Sequence, residues 1–133
     1  MSFLNWTSDD ILGIKILDDQ HLSLFVLVNK LYETLNTNRT NESINIMDQI
    51  VELMKLHFDT ENNFMIDNKI MDITHKLEHD RYLDKVIKFN EAFKRDQEGV
   101  TNDFFRSFRV WFHNHQIIND KKLGASLKNL GIN

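Results

Sequence analysis

The chain contains no proline and only four glycines in 133 residues, so long stretches lack the residues that interrupt helices. Within these stretches the apolar residues recur at steps of three and four, the spacing of one face of an α-helix. The pattern predicts four long helices, at about residues 18–36, 41–66, 74–98 and 102–120. Because helices of this length joined by short turns pack beside their neighbours in sequence, we predict an all-α, up-down-up-down antiparallel four-helix bundle.

Local signals predict where these helices begin and end. Asp18 is a suitable N-cap for the first helix, since its side chain can accept a hydrogen bond from a free backbone N–H. Gly99 is suited to ending the third helix. Thr101 or Asn102 would then cap the fourth.

The two ends of the chain predict smaller features around the bundle. Residues 1–17 predict an irregular N-terminal arm that lies across the helices, and residues 121–133 predict a short C-terminal extension with one more helical turn around Ala125. No internal repeat or linker divides the sequence. We therefore expect a single domain over residues 1–133.

Composition excludes several classes of protein. The net charge is −4 with both signs interspersed, so no nucleic-acid-binding surface is expected. The absence of cysteine excludes disulfides and thiolate metal sites, so any metal would be bound by histidines and carboxylates. No apolar stretch approaches the length of a membrane span, and the N-terminus lacks a signal-peptide pattern. We expect a monomer in the cytoplasm that is not inserted in a membrane.

The histidines are concentrated where apolar residues are expected. A buried stripe covers roughly a third of a helix, so five histidines placed independently would all fall there with a probability on the order of 0.4%. His113 lies off the stripe and is expected to be solvated. The other five lie on or one position from the predicted buried stripes: His21, His57, His75, His79 and His115.

A carboxylate shares this unusual placement. Glu61 replaces an apolar residue of the second stripe, and burying an ionised carboxylate without a partner is costly. The pairs His57 with Glu61 and His75 with His79 have i, i+4 spacing, which places two ligands on one helix face. Either pair alone is weak evidence, because a single histidine is more often a core or partly exposed residue than a ligand. Their convergence from separate helices indicates a metal site. Five imidazoles suit transition metals and exceed what one tetrahedral zinc needs, so two metal ions are predicted.

From Trp6 to Asp120 the chain resembles the hemerythrin family. The matching motifs are D-x-Q-H at 18–21, H-F-x-x-E at 57–61, H-x-x-x-H at 75–79 and W-x-x-x-H-x-x-x-x-D at 111–120. Myohemerythrin is itself a standard example of an up-down-up-down bundle. The resemblance implies two iron ions that cycle between Fe2+ and Fe3+ and are bridged by an oxo or hydroxo group. One iron would be bound by His75, His79 and His115, and the other by His21 and His57. Glu61 and Asp120 would bridge both.

The resemblance implies that the second iron, with one histidine fewer, has a free coordination position and that O2 binds there. Asp120 is the least secure ligand on local grounds, because a step of five residues from His115 leaves the face of a regular helix and needs a loosened helix end. Four apolar residues near the ligands in sequence are expected to line the O2 pocket, although core packing explains them equally well: Leu24, Trp111, Phe112 and Ile118.

The resemblance implies reversible O2 binding for transport, storage or delivery to an oxygen-consuming recipient protein, and no enzyme activity. An oxygen or redox sensor is the alternative, in which oxidation of the irons would move the N-terminal arm or attract a partner. A di-iron oxidase or iron store is the third class. Ferritin-like sites, however, use Glu-x-x-His pairs, which are not found at these positions.

Overall fold

The computed structural model describes residues 3–37, 40–95 and 97–133, and of residues 40 and 97–101 the backbone alone. Four long helices follow one another: α1 Lys15–Asn36, α2 Thr40–Asp67, α3 Ile73–Arg95 and α4 Gln97–His115. A π-helical turn, Gln116–Asp120, leads into α5, Lys121–Asn129, and a 3-10 helix, Ser8–Asp10, precedes α1. Each long helix packs against the one before it, and the described residues contain no β-strand. The predicted all-α four-helix bundle is confirmed.

The start of α1 differs from the prediction. The helix begins at Lys15, so Asp18 lies in its first turn and is not the N-cap. The Asp18 carboxylate instead accepts hydrogen bonds from the backbone N–H groups of Leu12, at 2.8 Å, and Gly13, at 3.0 Å. Gly13 has a φ of +86°, a conformation that glycine adopts without strain, and this bend turns both N–H groups toward the helix.

The junction between α3 and α4 also differs. α3 ends at Arg95, and α4 already begins at Gln97, so Gly99 lies inside α4 and does not end α3. Residues 101 and 102, predicted as alternative caps of α4, also lie inside this helix. A glycine within a helix costs only about 1 kcal/mol relative to alanine. Burying one large apolar side chain contributes about 1.5–3 kcal/mol, so the buried face of α4 outweighs this local cost.

An apolar core fills the space between the four long helices. Each helix contributes buried residues at helical spacing: Leu24, Phe25, Val28 and Leu31; Ile46, Met47, Ile50, Val51, Met54 and Phe58; Tyr82, Val86 and Phe93; Phe104, Phe105, Phe108 and Phe112. A second, smaller apolar cluster joins the N-terminal arm to α5 and contains Leu12, Ile14, Leu17, Met65, Leu123 and Leu127. All four long helices thus contribute apolar residues to the core between them.

The described part of the N-terminal arm packs on the bundle. Arg109 of α4 donates a hydrogen bond to the Phe3 carbonyl oxygen at 2.9 Å, and its guanidinium lies 4.1 Å from the centre of the Phe3 ring. The C-terminal helix α5 is longer than the single turn predicted around Ala125. Of the helices in the described part of the chain, none combines the length and the hydropathy needed to cross a membrane.

Candidate metal centre

The antiparallel order of the helices brings the predicted ligands to one end of the bundle. His21 lies near the start of α1, and His75 and His79 lie near the start of α3. His57 and Glu61 lie near the end of α2. Because odd and even helices run in opposite directions, the starts of α1 and α3 meet the ends of α2 and α4.

All seven predicted ligands are buried there, and none is more than 3% exposed. They form two overlapping groups in which one potential ligand atom from each residue lies within 4.8 Å of the others. The first group contains Glu61, His75, His79, His115 and Asp120, and the second contains His21, His57, Glu61 and Asp120. His113 is exposed and lies outside both groups.

Glu61 divides its two carboxylate oxygens between the groups. Its Oε2 lies 3.0 Å from His75 Nε2 and 3.5 Å from His79 Nε2. Its Oε1 contacts His57 Nε2 and lies 3.8 Å from His21 Nε2. One carboxylate oxygen therefore faces the three-histidine group and the other faces the two-histidine group.

Asp120 repeats this division from the opposite side. Its Oδ1 lies 3.0 Å from His115 Nε2 and 3.2 Å from His75 Nε2, whereas its Oδ2 lies 3.2 Å from His21 Nε2. Asp120 reaches this position because residues 116–120 form a π-helical turn, not the loosened helix end expected from the sequence. A π-helix pairs residues five apart, which brings Asp120 back beneath His115.

The ligand atoms fit a metal centre because they lack other partners. Neither oxygen of Glu61, neither oxygen of Asp120 nor Nε2 of His75 has a hydrogen bond, although all are buried. The Nε2 atoms of the other four histidines converge in pairs, at 2.7 Å between His21 and His57 and 2.9 Å between His79 and His115. Buried carboxylates that face only imidazole nitrogens are the donor set that binds transition metals.

Burial and charge compete in setting the protonation of the metal-free cluster. Burial lowers the pKa of His21 and of His75, but the close carboxylates of Asp120 and Glu61 outweigh it and raise both pKa values to about 9. For His79 burial dominates, and its pKa is lowered. Without metal, protonated imidazoles therefore neutralise the carboxylates.

The two carboxyl groups shift in the opposite direction from what their burial favours. Burial raises the pKa of Glu61 and of Asp120, yet the surrounding histidines hold both well below the ordinary range. Both carboxylates are thus ionised at neutral pH. Metal ions binding here would replace the imidazole protons.

The outer nitrogens of three histidines have acceptors that the sequence analysis did not identify. His57 Nδ1 lies 2.7 Å from Gln20 Oε1, His79 Nδ1 lies 3.0 Å from Asn62 Oδ1, and His115 Nδ1 lies 3.1 Å from Glu78 Oε2. Gln20, Asn62 and Glu78 are each adjacent in sequence to a predicted ligand, but the sequence does not show which helix each side chain meets. Adjacent helical residues point about 100° apart, so each acceptor reaches a ligand on a neighbouring helix.

The four residues predicted for the O2 pocket do not surround one space. Phe112 is buried, and its ring lies 5.1 Å from the His21 ring in an edge-to-face contact. Trp111 instead stacks on His115, at 4.5 Å, in the three-histidine group. Ile118 is 66% exposed, so its prediction is wrong. The π-helical turn rotates Ile118 out of the inner stripe that a regular helix would have continued.

Leu24 is 1% exposed, one helical turn beyond His21, and belongs to the main core. A further aromatic contact lies beside the three-histidine group. The Phe58 ring stacks on the His79 ring, with 4.2 Å between centroids and 11° between planes. Aromatic and aliphatic side chains therefore surround the cluster on its bundle side and limit the entry of water.

Comparisons with known proteins agree with this arrangement. Residues 12–123 match the model of the family described as Hemerythrin HHE cation binding domain. Bacteriohemerythrin of Methylococcus capsulatus is 30% identical over 129 residues, 96% of this chain and 98% of that protein. Bacteriohemerythrin of Clostridium acetobutylicum is 32% identical over 123 residues, 88% of this chain and 95% of that protein.

Solved structures give the same result. The crystal structure of a wild-type hemerythrin has a TM-score of 0.83 and 29% identity, covering 92% of this chain and 95% of its own. The structure of a hemerythrin point mutant has a TM-score of 0.85 and 29% identity, covering 94% of this chain and 97% of its own. The shared features extend over nearly the whole bundle.

Proposed function

Because the chain belongs to the hemerythrin family, we propose that it binds O2 reversibly at two iron ions held in the buried cluster. One observation carries this proposal: two groups of ligands, with three and two histidines, share the same two carboxylates. A shared carboxylate with one oxygen toward each group is suited to bridging two metal ions. Because one group has three histidines and the other has two, the metal ion in the second group would have one protein ligand fewer.

The assignment of ligands follows the two groups. His75, His79 and His115 would hold one iron, and His21 and His57 would hold the other, with Glu61 and Asp120 bridging them. The group with three histidines would offer its iron one more nitrogen than the group with two. We therefore propose that O2 binds on the side of His21 and His57.

When bound, the irons would supply the redox chemistry of O2 binding. The chain orients the ligands and keeps water away from them. Gln20 accepts from His57 Nδ1, and Gln20 Nε2 donates to Thr60 Oγ1 at 3.0 Å, which fixes both side chains. An Nδ1–H directed outward leaves the Nε2 lone pair directed at the cluster. Phe112 covers the His21 ring and keeps water from that side of the site.

Absorption spectroscopy tests the proposal. Iron-loaded protein should contain about two iron ions per chain, one for each ligand group, and should develop a visible band in air that disappears on deoxygenation. Zinc-loaded protein is the matched control, because it fills the same ligands without redox chemistry. Purified protein that contains zinc and no iron would contradict the proposal. An iron-loaded form whose spectrum does not change with O2 would also contradict it.

The role of a carrier or store follows from reversible binding, with an oxygen-consuming protein as the recipient. On this proposal the chain is a cytoplasmic monomer and is not an enzyme. Size-exclusion chromatography coupled to light scattering tests the monomer. Repeated oxygenation without consumption of O2 tests the absence of oxidase activity.

One set of contacts favours a sensor as the second candidate. Aromatic rings connect the arm to a ligand: Trp6 lies 5.2 Å from Phe25, Phe25 lies 5.1 Å from Phe112, and Phe112 lies 5.1 Å from His21. A change at His21 on oxidation could thus reach the N-terminal arm. Trp6 fluorescence should differ between the reduced and oxidised iron forms if the arm moves, and identical spectra would exclude this role. The other tryptophan, Trp111, needs replacement by phenylalanine for this measurement.

A further inference from the structure

Glu78 lies beside the metal cluster without belonging to either ligand group. It precedes His79 on α3, so its side chain leaves the helix about 100° away from that ligand. In that direction it meets the end of α4, where its Oε2 lies 3.1 Å from His115 Nδ1. Glu78 thus connects the two helices that carry the three-histidine group.

The chemistry of this contact determines which nitrogen of His115 carries the proton. An ionised carboxylate only accepts hydrogen bonds, so His115 Nδ1 donates to Glu78. Asn119 Nδ2 also lies 3.1 Å from His115 Nδ1, but it is a donor itself and has Glu78 Oε2 as its acceptor. In the neutral ring, Nε2 then has a free lone pair. His115 Nε2 faces Asp120 Oδ1 at 3.0 Å, inside the cluster. Glu78 therefore holds His115 in the tautomer that a metal ligand requires.

The same carboxylate oxygen also holds the π-helical turn. Asn119 is 7% exposed, and its Nδ2 donates to Glu78 Oε2 through a short hydrogen bond. Asn119 is the residue before Asp120 in the turn Gln116–Asp120. Fixing Asn119 against α3 fixes the rotation of this turn, and hence the direction in which Asp120 points.

We propose that Glu78 is a positioning residue of the metal centre, which orients His115 directly and Asp120 through Asn119. The inference rests on the proposed di-iron function. Glu78 also makes the acceptor of His115 different from those of His57 and His79, which are the neutral amides of Gln20 and Asn62.

Of the acceptors Gln20, Asn62 and Glu78, only Glu78 carries a charge. A hydrogen bond to a carboxylate is stronger than one to a neutral amide and raises the donor strength of the imidazole. An iron held by His75, His79 and His115 would therefore be stabilised in its ferric state relative to an iron with neutral acceptors alone.

The position of Glu78 makes it a practical target for substitution. Its side chain is 38% exposed and lines a surface cavity of about 470 Å3 together with Trp111, His115 and Asn119. Replacing it leaves no closed void in the core, so the variants should fold. Glu91 is an exposed glutamate on the same helix, remote from the cluster, and Glu91→Gln provides a matched control.

The experiment compares wild type, Glu78→Ala, Glu78→Gln and Glu91→Gln by two measurements: Co2+ titration followed by visible absorption, and the midpoint potential of the iron-loaded protein. Glu78→Ala should weaken Co2+ binding about 10- to 100-fold. Glu78→Gln should recover most of this affinity, because its amide oxygen still accepts from His115 Nδ1, but should move the midpoint potential to a more positive value. Glu91→Gln should change neither quantity.

Two results would overturn the inference: Co2+ binding by Glu78→Ala as tight as in wild type, or a midpoint potential of Glu78→Gln equal to that of Glu91→Gln. A purely structural role for Glu78 would alter the free energy of unfolding without moving the potential. Wild type that binds fewer than two metal ions would instead overturn the proposed function and, with it, this inference. The two failures are thus distinguishable.

Discussion

His115 Nε2 and Asp120 Oδ1 lie 3.0 Å apart although five residues separate them in sequence. In a regular α-helix a step of five residues turns the side chain about 140° away from the first. The π-helical turn at residues 116–120 removes this difference, and such single turns frequently mark functional sites. The turn therefore places the second shared carboxylate, opposite Glu61.

Replacing Asp120 with asparagine should remove more metal than any substitution in the outer acceptors. Asp120→Asn deletes a charge that faces both ligand groups, so we expect a loss of Co2+ affinity greater than the 10- to 100-fold typical of outer partners. Titration of the metal-free protein with Co2+ measures this. Asp84→Asn is the control, because Asp84 is 63% exposed and pairs with Lys88 on the surface. Equal affinities in the two variants would contradict a role for Asp120 as ligand.

Two histidines provide a test in which the residue type is constant. His79 is 1% exposed and belongs to the three-histidine group, whereas His113 is exposed. His79→Ala should lower the iron content below that of wild type, and His113→Ala should leave it unchanged. Iron per chain, measured by elemental analysis after identical reconstitution, decides between them. Similar losses in both variants would argue against the assignment of ligands.

Much of this site can be predicted from the sequence because each helical ligand interrupts an apolar pattern. His21, His57 and Glu61 stand where a bundle needs apolar side chains, and no local property of a helix explains that. The outer acceptors escape prediction because Glu78 and Asn62 resemble ordinary surface residues until the neighbouring helix is placed. Their role depends on tertiary contacts alone.

The errors have a common physical cause. Ile118 and Gly99 were interpreted by the rules of a regular helix and its ends, whereas tertiary packing changed the helical geometry locally. A π-helical turn leaves no periodic signal over five residues, so the exposed position of Ile118 could not be predicted. Gly99 lies in α4 because the energy of burying that helix exceeds the cost of one glycine.

The stability of the metal-free protein should depend on pH in two directions. The pKa values of His21 and His75 are raised from 6.5 to about 9, so their contribution is complete below about pH 6.5 and lost as the pH rises through 9. At 1.36 kcal/mol per pKa unit this is on the order of 3 kcal/mol for each group. The pKa values of Glu61 and Asp120 are lowered, so their contribution is lost as the pH falls below the ordinary carboxyl range.

Urea unfolding of the metal-free protein should therefore give its highest midpoint near pH 5 to 6, between the ordinary carboxyl and imidazole pKa values. Metal-loaded protein should keep its stability to pH 9, because metal ions have replaced the imidazole protons. A metal-free midpoint that is equal at pH 6 and pH 9.5 would contradict the charged arrangement of the cluster.

Phe112 allows packing to be separated from protection of the site. Phe112 and Phe105 are both 5% exposed and both lie on α4, but only Phe112 contacts His21. Replacing either with alanine should cost about 3–5 kcal/mol of unfolding free energy, through lost burial and the cavity left behind. Only Phe112→Ala opens the side of the cluster proposed for O2, so only this variant should lose its oxygenated form faster by oxidation. Stopped-flow absorption of the iron-loaded variants measures this rate, and equal rates at equal loss of stability would mean that Phe112 acts through packing alone.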